Sequence, residues 1–412
     1  MKIKREFSII LSIFLCISLC SCKKKNSQDQ DKEEKELKVY VDIKDKNSLS
    51  IIKFLTEEYM KKNTKVKLKI NDVLETESNI VEEISKGDKA DLILTSRNTM
   101  IELSKKGLLS DMSQYYDKNK INEKYYNIMS SYGRFEDKYY GISIIPYVIT
   151  AFYNKDAINK LGISKMANVE DILGILKKFK ENNIRIPVIV PEDLDINIVL
   201  SSMIASNRVK ISDLDGAYDN KNSYKNIKEM QYIFDDINTA VREGIINKNS
   251  FEIGNESTFT SLINGSIPFI ISTSYYYDKL KDSNIETIND IIITNNIKAN
   301  IPVLVDTILS LPINGKNSEE ASEFIKFVLD EKTQEELVKK GYITGNKKAN
   351  AEIQGLGENI VTKLSNANQN SIVYIYNLPK NFNKIISYKI NNILLGNYSK
   401  NEWNEILNEI YK

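Results

Sequence analysis

Leu37-Lys38-Val39-Tyr40-Val41-Asp42-Ile43 alternates apolar and polar side chains with a period of two, the pattern of a strand with one face turned to a core. Ile51, Ile52, Leu55 and Tyr59 then recur at helical spacing, and Val66, Leu68 and Ile70 alternate again. A short helix follows near Ile80 to Ile84, and Asp91 to Thr95 reads as a third apolar strand. The order βαβαβ predicts an α/β fold around a mostly parallel sheet.

Downstream the pattern turns helical. Asn317-Ser318-Glu319-Glu320 precedes Ala321, Phe324, Ile325 and Val328 and predicts a capping box, with Asn317 as cap and Glu320 at the third helical position. Thr333 to Glu336 repeats the device, and Gly341 supplies a stop after Lys339 and Lys340. A last pair of helices is expected near Phe382 to Leu395 and Asn401 to Tyr411, broken at Gly396-Asn397. Asp213-Leu214-Asp215-Gly216 has a faint calcium-loop character but lacks the further ligand positions and the closing Glu. It reads as a turn.

Upstream of Leu37, residues 23–36 contain no apolar side chain and read as a flexible tether. Before them, Lys2, Lys4 and Arg5 flank an apolar run from Phe7 to Leu19 that is too short to span a bilayer. Residues 1–21 therefore read as a signal peptide. Leu19-Cys20-Ser21-Cys22 resembles the bacterial lipoprotein signal, in which the final cysteine is diacylated and becomes the first residue of the mature chain. Cys22 is the expected lipidation site, palmitate-type acylation its chemistry, and 22–36 the tether; two acyl chains suffice for stable anchoring. A plain secretory signal is the other reading.

The three cysteines, Cys16, Cys20 and Cys22, all lie at this end, so no disulfide is expected in the body. Its several hundred residues can bury a large core unaided, and two lobes are the natural expectation. With 57 basic and 56 acidic residues the formal charge is +1, which favours neither nucleic acid nor polyanionic surfaces. The chain has no histidine. That excludes Ser/His/Asp and Cys/His nucleophiles, histidine-ligated zinc and histidine bases. A carboxylate pair of the glycosidase type stays open.

Four segments, in order, resemble the family 1 extracellular solute-binding proteins of ABC importers, which include the maltose-binding proteins. They are Ala90 to Leu94 with Leu103, Gly107-Leu108-Leu109 and Asp111; Tyr140-Gly141-Ile142-Ser143 through Phe152-Tyr153-Asn154-Lys155-Asp156 to Leu161-Gly162-Ile163; Ile263-Asn264-Gly265 to Leu280; and Asn317 to Gly345. The resemblance implies a two-lobed, periplasmic-binding-protein-like (type II) α/β clamshell with hinge-crossing strands near Pro146 to Ile149 and Pro302 to Asp306. One lobe would comprise 37–147 and 305–347, the other 148–304 and 348–412. It further implies capture of a small solute, a sugar or oligosaccharide favoured, between the lobes. Delivery would be to the permease subunits of an ABC importer, with no catalysis, no cofactor, no metal and no nucleic acid, by a monomer anchored at the extracellular face. The richness in Lys, Asn and Ile suits an AT-rich genome and hence a Gram-positive outer leaflet rather than a periplasm.

The same resemblance nominates cleft residues. Ser96-Arg97-Asn98 lies where maltose-binding relatives contact sugar, with Asn98 at an aspartate position; a polar helix start capped by Asn98 is the other reading. Tyr147 matches an acidic sugar contact, and core packing is its alternative. Tyr275 falls at a stacking tryptophan's position, with Tyr276, Ser272 and Thr273 nearby; an aromatic face against a sugar is a good platform. One or two of the three tyrosines Tyr275 to Tyr277 are expected to be functional; the other reading has one ring facing the cleft and two packed beneath the following helix. The chain departs from the sugar pattern at Thr95 and Asn383, which stand where relatives stack indoles, and its one tryptophan, Trp403, is expected on the terminal helix. Ser274-Tyr275-Tyr276-Tyr277 also resembles the tandem tyrosines of ferric-ion-binding proteins in the same superfamily. A ferric-iron carrier is therefore an alternative, as is a sensing lipoprotein that shows its closed form to a membrane sensor.

Overall fold

The computed structural model describes residues 35–72, 80–87, 89–164, 166–288, 292–294, 297–305 and 307–412. The expected signal 1–21, Cys22, the tether as far as residue 34, and Asp306 of the second expected crossing lie outside the described residues.

In chain order the strands are β1 (Lys35–Val41), β2 (Val66–Asp72), β3 (Leu92–Thr95), β4 (Arg134–Phe135), β5 (Lys138–Tyr139), β6 (Ile142–Ser143), β7 (Pro146–Asn154) and β8 (Ile186–Ile189). There follow β9 (Phe251–Ile253), β10 (Phe269–Thr273), β11 (Ile285–Thr287), β12 (Ile292–Thr294), β13 (Ile297–Lys298), β14 (Val303–Val305) and β15 (Ile308–Ser310). The first sheet runs β2-β1-β3-β15-β6 and the second β11-β7-β10-β8-β9, with β14 added on β7. Helices join the strands, as the βαβαβ reading requires, and Leu37, Val39, Leu92 and Ile93 at the centre of the first sheet are fully buried.

The mostly parallel sheet expected from the first strands is in fact mixed. β1 and β3 are parallel, but β15 runs antiparallel to both β3 and β6. In the second sheet β10 is parallel to β8 and antiparallel to β7. The antiparallel members are the strands by which the chain changes sheet, and a short direct crossing can return a strand in the opposite sense where a helical crossover cannot. β6, in the first sheet, leads directly into β7; β14 pairs with the start of β7, Val303 opposite Val148 and Val305 opposite Pro146, and β15 follows in the first sheet. The result is a two-lobed α/β molecule whose sheets are joined by paired crossing strands. β7 is buried along almost its whole length, Val148, Ile149 and Phe152 completely, so it serves as a shared spine.

Helix limits follow local chemistry. Asp45 caps the helix Lys46–Lys62 by accepting from Ser48 N at 2.9 Å. The helix buries Ile51, Ile52, Leu55 and Tyr59, and the Tyr59 ring meets Phe324 edge-on at 5.0 Å, so it packs on the helix Ser318–Val328. The C-terminal helices Phe382–Leu394 and Glu402–Ile410 close over Tyr224, whose carbonyl accepts from Trp403 Nε1 at 2.9 Å. Gly341 ends the helix Glu331–Lys339 region at φ +90°, and a Cβ there would lie 2.4 Å from Asp278 Cγ. Both facts require glycine.

Three local expectations are overturned. Asn317 precedes its helix but makes no capping bond. Its amide donates instead to Glu36 O at 2.9 Å and Asp91 Oδ2 at 3.1 Å, and the Asp91 carboxylate also takes the backbone N–H groups of Lys316, Asn317 and Lys38. A buried carboxylate with backbone donors outcompetes a local cap. At the next helix the cap is Asp330, accepting from Lys332 N, while Thr333 lies buried inside the helix. Asp213-Leu214-Asp215-Gly216 is no turn; it belongs to the helix Ile211–Ala217, because Ile211, Leu214 and Ala217 supply a buried face. The chain also enters β1 two residues before the expected order at Leu37.

Candidate functional site

In α/β sheets ligands gather beyond the carboxyl ends of the strands, and here those ends converge from both sheets. β1 delivers Asp42. Its Oδ2 accepts from Thr99 Oγ1 at 3.2 Å and Thr95 Oγ1 at 3.4 Å, and forms an ion pair with Lys380 Nζ at 3.1 Å. Thr95 and Thr99 flank the end of β3 and Lys380 comes from the C-terminal segment, so this carboxylate ties the first sheet to the far side. From the second sheet, the chain after β8 places Asp193, whose Oδ2 accepts from Tyr376 Oη at 2.7 Å and whose carbonyl accepts from Asn383 Nδ2 at 2.9 Å. Burial pushes the Asp193 carboxyl up, the Tyr376 bond opposes this, and the charge of Asp45 raises it further. Burial likewise pushes the Tyr275 phenol up, with Tyr342, Tyr276 and Asp45 adding to the shift.

The aromatic wall stands at the end of β10. Ser274–Tyr276 forms a single 3-10 turn. Tyr275 meets Tyr147 and Tyr276 edge-on at 5.6 and 5.0 Å and Tyr342 at a tilt at 5.8 Å, and Tyr276 lies over Phe259 at 4.5 Å. Tyr275 and Tyr276 are half-buried, whereas Tyr147 is 3 % exposed. The half-buried rings keep exposed surface, and the buried Tyr147 ring packs edge-on against Tyr275. Tyr277, also half-buried, lies against Gly357, where a Cβ would come within 2.8 Å of its ring. Ser272 is fully buried and its hydroxyl donates to Ile189 O at 2.8 Å, which joins β10 to β8.

Ser96, Arg97 and Asn98 lie at the start of the helix Arg97–Lys105, on the first-sheet side. Ser96 is the N-cap position, and its hydroxyl donates to Asn98 Oδ1 at 2.8 Å. The Asn98 amide reaches Leu378 O at 3.5 Å. Arg97 is fully buried. Its guanidinium donates to the carbonyls of Ser131, Tyr132 and Arg134 at 3.0, 2.6 and 2.6 Å, to Asn377 Oδ1 at 3.2 Å, and to Asp215 at 3.2 Å. Burial pushes the Arg97 guanidinium down and the Asp215 carboxyl up, while their mutual attraction opposes both shifts.

Tyr147, Tyr275 and Tyr276 thus form one cluster, Ser96 to Asn98 begin the helix after β3 with Asn98 bonded to Leu378, and Ser272 is buried within β10. Asp42, Asp193, Tyr342, Tyr376 and Lys380 were missed from the sequence. Asp42 carried a usable signal, since it directly follows Val41 at the end of β1, and Asp193 a weaker one, four residues past the end of β8. Tyr342, Tyr376 and Lys380 carried none, because remote segments bring them in. Among the described residues no group of three or more Asp, Glu, Cys or His is placed to hold a metal ion.

Two concavities lie elsewhere: about 450 Å³ beside Lys389, Tyr398, Glu402 and Glu405, and about 270 Å³ beside Lys298, Asn300, Lys363 and Asn368. Neither shares a residue with the strand-end cluster or joins the two sheets at their carboxyl ends, and the cluster is the stronger candidate on that ground.

The relatives agree with this architecture. No curated protein matches the sequence. Among solved structures, the sugar-binding protein MalE from the phytopathogen Xanthomonas citri superposes with a TM-score of 0.69 at 11% identity, over 91% of this chain and 96% of that one. A family 1 extracellular solute-binding protein from Bifidobacterium longum subsp. infantis gives 0.67 at 17%, over 92% and 99%. A cyclo/maltodextrin-binding protein complexed with maltotetraose gives 0.66 at 15%, over 93% and 99%. At these identities the likeness establishes the fold. The model of the bacterial extracellular solute-binding protein family matches residues 45–335, well over half of the sequence, and the chain accordingly belongs to that family.

Proposed function

We propose that this protein is a membrane-anchored extracellular lipoprotein that captures a small solute, a sugar or oligosaccharide, between its lobes and delivers it to the permease subunits of an ABC importer. The observation that carries the reading is the convergence of carboxylates (Asp42, Asp193), tyrosine hydroxyls and half-buried tyrosine faces at the strand ends of both sheets. Hydroxyl-bearing rings with a few fixed acceptors suit a polyol that offers C–H faces and donor hydroxyls. Tyr275 and Tyr276 act as the platform, Tyr147 as its support, and Ser96 and Asn98 as polar contacts. Arg97 and Ser272 hold the walls in place. The lobes are taken as 37–147 with 305–347 and 148–304 with 348–412. Ligand touching both walls favours the closed form by its differential affinity. The subunit makes and breaks no bond, needs no cofactor, and works as a monomer held through Cys22 on the outer leaflet.

Calorimetric titration against a panel of mono- and oligosaccharides tests the reading. The expected result is saturable binding of at least one sugar, weakened by about 1–3 kcal/mol in Tyr275→Ala with folding intact; affinity unchanged in that variant places the platform elsewhere. For the anchor, Cys22→Ala is expected to move the protein from the membrane fraction to the soluble one, and persistent membrane association would refute the lipidation assignment.

A further inference from the structure

We infer that Arg97, Asp215 and Asn377 form a latch that holds the lobes closed before any solute arrives. Arg97 opens the helix that follows β3 of the first sheet, whereas Asp215 lies in the helix Ile211–Ala217, within the connection between β8 and β9 of the second. Asn377 ends the turn Tyr374–Asn377 and bonds to both. The Arg97 side chain is 0% exposed and that of Asp215 8%, so their attraction is little screened by solvent.

The partners left on each side make this pair separable. Arg97 keeps the carbonyls of Ser131, Tyr132 and Arg134, all from its own lobe. Asp215 keeps the amides of Asn377 and Gln369, from the other. Opening would break the ion pair but strip neither group of all its partners, which is the construction a reversible contact needs and a permanently fused one does not. Further contacts lie along the same helix: Asn98 Nδ2 to Leu378 O at 3.5 Å, and Lys105 Nζ to Tyr218 O at 2.9 Å. Such a latch sets the closed fraction of the empty protein, and through it the apparent affinity for any solute that binds the closed form. The inference rests on the two-lobed capture reading, but its readout requires no solute.

The test uses the full chain in detergent, with Cys16, Cys20 and Cys22 replaced by serine and spin labels at the exposed positions of Lys53→Cys and Asn222→Cys. Distances are read without solute. The parent protein is expected to give one dominant short population, and Asp215→Asn to add a longer one that raises the open-to-closed ratio at least about tenfold. Asp213→Asn, on the exposed side of the same helix, is expected to leave the distribution unchanged. Should Asp215→Asn lose cooperative thermal unfolding, Asn377→Ala, which keeps both charges, is read in its place. Identical distributions in the parent and in whichever latch variant folds, or an already evenly split parent, would overturn the latch. Addition of sugars forms a separate arm, so a failure of solute capture is distinguishable from a failure of the latch.

Discussion

Individual side chains divide into those that keep exposed surface near the strand ends and those wholly enclosed behind them. Arg97 shows how close the two lie in sequence: directly after the half-buried Ser96, it is wholly enclosed by carbonyls and one carboxylate. Removing its charge in Arg97→Met would leave the buried Asp215 without its ion partner and take a donor from three carbonyls, and is expected to cost about 3–5 kcal/mol of stability, measured by urea unfolding. A loss below 1 kcal/mol, on the scale of an exposed pair, would contradict the buried network. Asp91 is the corresponding anchor of the first sheet. Asp91→Ala strips acceptors from the N–H groups of Lys38, Lys316 and Asn317 and is expected to destabilise by about 1–3 kcal/mol.

Among the elements, β11 illustrates how an edge is fastened. Glu286 accepts from Lys155 Nζ at 2.8 Å and Tyr153 Oη at 2.8 Å. The bond from Lys155 holds its carboxyl below the ordinary range, burial opposes, and Tyr153 adds to the lowering. A depressed carboxylate stabilises the fold above its unfolded pKa, and the contribution is lost as pH falls through the folded value. The stability difference between the parent and Glu286→Gln, measured by denaturant titration, is therefore expected at pH 7 and to fade below about pH 4; a difference that grows on acidification would contradict this. Most elements were legible in the sequence because period-two and helical spacing mark a buried face directly, as in β1, β3 and the helix Lys46–Lys62. Failures came where a remote group decided the outcome. Asn317 gave up its cap to Asp91, and Asp215 sits in a helix because Ile211, Leu214 and Ala217 are covered by the core. The candidate site was legible in part for the same reason: the tyrosine run and the residues after β3 are local signals, but Tyr342, Tyr376 and Lys380 arrive from elsewhere in the chain.

For the whole molecule, two sheets share a pair of crossing strands, and contacts near their carboxyl ends bring together residues far apart in sequence, Asp42 with Lys380 and Tyr275 with Tyr342. Under the proposed function, solute held between the lobes would favour their closure. Solute capture is tested most directly by thermal unfolding of the protein against mono- and oligosaccharides, with ferric iron and a chelator in a parallel series. A sugar at about a hundred times its dissociation constant should add roughly 2.7 kcal/mol and raise the midpoint by a few degrees. The account predicts that shift with at least one sugar and its loss in Tyr275→Ala; a shift with ferric iron alone, or none with any sugar, would contradict it.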